Sequence, residues 1–70
     1  MMQRVTLQVQ GMSCNHCVQA VEENVGNING VQSVHVLLEE GKVDVTFDEA
    51  KTNVDEIKQT IVEQGYDVTA

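Results

Sequence analysis

Proline and tryptophan are absent from this chain, and its aromatic residues are Phe47 and Tyr66 alone. The missing proline weighs against a thioredoxin-type oxidoreductase, whose fold sets a cis-proline against its cysteines. Basic residues are also scarce. Arg4, Lys42, Lys51 and Lys58 are scattered among eleven acidic positions, for a formal net charge of −7. Nucleic acid and an anionic membrane surface are disfavoured, because both are recognised by clustered Lys and Arg. No apolar run approaches the roughly 20 residues of a spanning helix, so membrane insertion is not expected. The opening Met1-Met2-Gln3-Arg4-Val5-Thr6 has no signal-peptide core, and the expected location is cytoplasmic. Two cysteines are too few for a disulfide scaffold. A bridge between Cys14 and Cys17 would close a tiny loop and constrain little of the unfolded chain, so a chemical role is the better reading.

Residues 1–70 are expected to form one domain around one core. Val5, Leu7 and Val9 alternate with polar neighbours and predict a strand that Gly11 breaks. From about Asn15 the spacing turns helical, with Cys17, Val21, Val25 and Ile28 on the inner side and Glu22, Glu23 and Asn24 opposite. Ser13 suits the N-cap. A second strand is predicted from about Val31 to Leu38, with Val34, Val36 and Leu38 inward and His35 outward. Glu39-Glu40-Gly41 makes a turn into a third strand, in which Val43, Val45 and Phe47 alternate with polar residues. Asn53 and Glu56 resemble a capping box for a second helix with Val54, Ile57 and Ile61 inward and Gly65 as its stop. Tyr66 to Thr69 is long enough for a short last strand. The order strand, helix, strand, strand, helix, strand predicts an α+β, ferredoxin-like βαββαβ sandwich. Its antiparallel four-stranded sheet would carry both helices on one face.

The chemistry concentrates in Gly11-Met12-Ser13-Cys14-Asn15-His16-Cys17, at the seam between the first strand and first helix. A helix N-terminus offers unsatisfied N–H groups and partial positive charge, which favour thiolate over thiol. Paired soft thiolates select soft ions, above all Cu(I), with Zn(II), Cd(II) and Hg(II) as competitors. Structural zinc needs four ligands, and His16 and His35 do not close that set. A carrier of another soft metal and a small dithiol–disulfide oxidoreductase remain the alternatives.

The motif above, together with Gly30-Val31 and Gly65-Tyr66-Asp67-Val68, resembles the heavy-metal-associated domain family, and more closely its free-standing bacterial copper chaperones. The resemblance covers essentially the whole chain. It implies Cu(I) held by Cys14 and Cys17, with no enzymatic activity. Delivery would be to the metal-binding domains of a copper-transporting P-type ATPase, and in some relatives also to a copper-sensing repressor. An exposed site of this kind also implies a copper-dependent homodimer. Met12 matches a methionine that packs under the loop. Ser13 stands where zinc-exporting relatives often carry aspartate, and tips the choice toward copper. Tyr66 matches a tyrosine near the metal loop, either shielding the site or closing the core. His16 either tunes the thiolates or is simply solvated. The acidic positions, Glu39 and Glu40 among them, read as a solvated surface, with a partner-docking face as the alternative.

Overall fold

A computed structural model describes residues 1–11 and 15–69 (of Asn15, the backbone only). Six main elements follow in order: β1 (Met2–Gln10), α1 (Asn15–Gly26), β2 (Val31–Leu37), β3 (Lys42–Asp48), α2 (Val54–Glu63) and β4 (Asp67–Val68). The sheet order is β2-β3-β1-β4, and every neighbouring pair is antiparallel. This is the ferredoxin-like sandwich expected from the element order.

Strand alternation decides which side chains meet the helices. Leu7 and Val9 of β1 and Val43, Val45 and Phe47 of β3 are buried on one face of the sheet. Val21 and Val25 of α1 and Ile57 and Ile61 of α2 close over them in a single apolar cluster. Each fully buried aliphatic side chain contributes about 1.5–3 kcal/mol relative to an exposed one, so these positions carry the fold.

On the other sheet face, Asp44 accepts hydrogen bonds from the Thr6 hydroxyl and, at 3.1 Å, from Arg4 Nη2. The Thr6 bond first, and the Arg4 guanidinium after it, hold the Asp44 carboxyl below its ordinary value. His35 lies directly across from Asp44 in the register and is exposed, as its parity predicts.

Five local features depart from the sequence reading. β2 ends at Leu37, and Leu38 opens a short 3-10 turn (Leu38–Glu40), so it does not extend the inward row. Within β2 the register shifts between Val31 and Ser33, leaving Gln32 as an extra residue. Val31 and Val34 both pack against the core, and a regular strand would put residues three apart on opposite faces. The shift resolves that conflict. Ile28 lies beyond the end of α1, which stops at Gly26, although it still packs against the core. The last strand is only Asp67–Val68, paired with Val9 and Gln10 of β1, and the Thr69 backbone N–H donates to the Gln8 carbonyl just beyond it at 2.9 Å.

The fifth departure is at the cap of α2. Asn53 Oδ1 accepts from the Glu56 backbone N–H at 2.8 Å, as a cap should. The reciprocal half of the box is replaced. Glu56 Oε2 instead accepts from the hydroxyl of Thr52, the one buried polar residue among those described, at 2.7 Å.

Candidate metal-binding site

β1 delivers the chain to Gly11, whose φ of +99° turns it out of the strand in a conformation that side chains with a Cβ rarely adopt. Cys14, with Met12 and Ser13, lies outside the described residues. Cys17 sits half-buried in the first turn of α1, at the head of the stripe that continues through Val21 and Val25. His16, its neighbour in that turn, is exposed.

Two further segments reach the same end of the sheet. On the β3 side, the Val9 backbone N–H donates to the Gly41 carbonyl at 2.8 Å, which ties the β2–β3 turn to the last residues of β1. Gly41 has φ +64°, and a Cβ there would stand 3.2 Å from the Val9 carbonyl oxygen. On the β4 side, Val9 pairs with Val68 and Gln10 with Asp67, so the next pair in the register is Gly11 with Tyr66. The Tyr66 ring packs against the core, and its Cδ1 stands 3.4 Å from where a Cβ on Gly11 would project. Tyr66 therefore closes the core and borders Gly11 at once.

The position of Tyr66 depends on the end of α2, and that end is tied to α1. Asn24 Nδ2 donates to the Ala20 carbonyl at 2.7 Å and to Gln64 Oε1 at 3.1 Å. Helical periodicity assigns Asn24 to the solvent side, yet it is half-buried between the helices. A sequence pattern does not reveal a polar residue whose partner is forty positions away.

The described residues contain no group of three or more His, Cys, Asp or Glu side chains placed to hold a metal ion. A recess of about 380 Å³, lined by Val5, Phe47 and Val54 among others, lies at the other end of β1, with no thiol among its described lining residues. No described helix is long and apolar enough to cross a membrane.

Comparison with known proteins decides the family. Residues 6–67 match the heavy-metal-associated domain. The chain belongs to that family. A relative, "Copper chaperone CopZ" of Bacillus subtilis (strain 168), is 60% identical over 67 residues, which is 96% of this chain and 97% of that one. Among solved structures, "CopZ metallochaperone" superposes with a TM-score of 0.94 at 48% identity, covering 96% of this chain and 100% of the other. A copper binding domain from HMA7, a P-type ATPase, gives a TM-score of 0.91 at 32% identity over 100% of this chain and 96% of that domain. A free-standing chaperone and an ATPase domain thus share one architecture with this chain.

Proposed function

We propose that this protein is a cytoplasmic copper chaperone, acting as one domain, that binds Cu(I) through Cys14 and Cys17 and passes it to a copper-transporting P-type ATPase. The observation that carries the reading is the thiol pair at the seam between β1 and α1, in a chain 60% identical to a copper chaperone along nearly its full length. Two soft thiolates suit Cu(I), which is satisfied by two sulfurs, whereas structural zinc requires a closed set of four ligands. Reducing conditions in the cytoplasm keep both thiols available.

Transfer is ligand exchange with no change of oxidation state. A thiolate of the acceptor attacks the two-coordinate Cu(I), giving three sulfurs around the ion. One chaperone sulfur then leaves and takes up a proton. The second exchange repeats the step and leaves the copper on the acceptor. Each new Cu–S bond forms before an old one is lost, so the barrier stays low while affinity stays high. The likeness to an ATPase copper binding domain supports this route, since donor and acceptor then share one fold. The same open coordination allows two chaperone molecules to share copper in a homodimer and allows delivery to a copper-sensing repressor. The thiols serve as carrier ligands and not as catalysts.

Anaerobic competition of Cu(I) and Zn(II) for the metal-free protein, in buffered metal solutions, tests the cargo. Preference for Cu(I) by several orders of magnitude is expected, and preference for Zn(II) would contradict the reading. Turnover in an insulin-reduction assay would mark a redox enzyme instead.

A further inference from the structure

The β2–β3 turn carries apolar surface that the core does not use. Leu37 and Leu38 are only half-buried. Among the described residues they belong neither to the apolar cluster nor to the side chains packed against it. With Val36 they wall a recess of about 370 Å³ whose rim carries Glu39 and Glu40. Both glutamates are exposed, and among the described residues neither joins an ion pair. The turn is held in place, because Gly41 N–H donates to the Leu38 carbonyl at 3.2 Å and Val9 N–H donates to the Gly41 carbonyl. That second bond ties Gly41, the residue that follows the rim glutamates, to Val9, two positions before Gly11.

We infer that this recess is where the chaperone grips the protein that accepts its copper, taking an apolar side chain flanked by Lys or Arg. The inference rests on the carrier reading above. An acceptor thiolate within bonding reach of copper brings its surroundings against whatever borders the loop, and on the β3 side that is this turn. Apolar walls match an apolar side chain. Two uncompensated carboxylates at the rim match basic groups and repel acidic ones. A net charge of −7 on the chain reinforces that choice and disfavours a second copy of the chain as occupant.

The test follows Cu(I) leaving the loaded protein toward two acceptors, the soluble copper-binding domain of a P-type ATPase and a small chromophoric Cu(I) chelator. Wild type is compared with Glu39→Gln/Glu40→Gln, Glu39→Lys/Glu40→Lys and Leu38→Ser. Transfer to the chelator should be the same for all four, which shows that folding and copper binding are intact. Transfer to the domain should slow by about three- to tenfold in the glutamine variant at low salt, and the difference should shrink as salt rises. Charge reversal should slow it further, and Leu38→Ser should slow it at every salt concentration. Equal rates to the protein acceptor in all variants, or acceleration by charge reversal, would overturn the inference. Wild-type protein that takes up no Cu(I), or yields it to the chelator and never to the domain, overturns the carrier reading and this inference with it.

Discussion

The ring of Tyr66 lies over Gly11, with Cδ1 3.4 Å from the point a Cβ would occupy, so the residue after β1 and the residue before β4 are packed as a pair. Gly11→Ala is expected to strain a backbone at φ +99° and to press on the tyrosine ring. A left-handed conformation costs a residue with a Cβ about 1–2 kcal/mol. The melting temperature should fall accordingly. Emission from Tyr66, in a chain without tryptophan, should change as the ring shifts. An unchanged spectrum would show that the ring does not rest on Gly11.

The cap of α2 gives a cleaner stability test, because it lies away from the loop. Asn53→Ala removes the acceptor for the Glu56 backbone N–H and should cost about 1 kcal/mol, read by denaturant unfolding. Cu(I) affinity should not move.

Acid should weaken the protein through Asp44. Its carboxyl is held below the ordinary value of 3.8 by the bonds from Thr6 and Arg4, so its charged form is favoured by folding. The folded pKa is the lower one. This stabilisation is therefore complete above the unfolded pKa and is lost as pH falls through the folded one. Melting temperatures followed from about pH 5 to about pH 2 should drop, and Asp44→Asn should show a smaller acid-induced drop than wild type. Asp48, lowered chiefly by the Ala50 N–H, adds a parallel contribution that remains in the variant.

Metal removal should leave the fold intact. The apolar cluster is drawn from β1, β3, α1 and α2 and, among the described residues, contains no Cys or His, in contrast with a zinc finger, whose folding energy is its binding energy. Circular dichroism of metal-free, reduced protein should match that of the loaded form. A disordered metal-free chain would contradict this.

Much of this architecture was legible because alternation and helical spacing each report which face is buried. Leu7, Val9, Val43, Val45, Phe47, Ile57 and Ile61 all follow from period alone. What escaped depends on partners distant in sequence. The extra residue at Gln32 exists because Val31 and Val34 must share a face, and only the pairing with β3 reveals it. Leu38 continues an inward row in the sequence, yet the chain must already turn there to reach Gly41. Thr52 takes the Glu56 carboxylate that a capping box would keep. At the site, the motif points to Cys14 and Cys17 through their chemistry. Cys17 and exposed His16 lie on the first turn of α1. The family resemblance already sets Tyr66 near the cysteine motif, and the register of β1 and β4 supplies the physical reason, by bringing Tyr66 beside Gly11.

The most direct test of the account is an anaerobic Cu(I) titration of reduced protein against a chromophoric chelator, comparing wild type with Cys14→Ser/Cys17→Ser. Stoichiometric, tight uptake by wild type and loss of that uptake in the folded double variant are predicted. Equal uptake by the double variant would contradict the assignment of the two cysteines as the copper ligands.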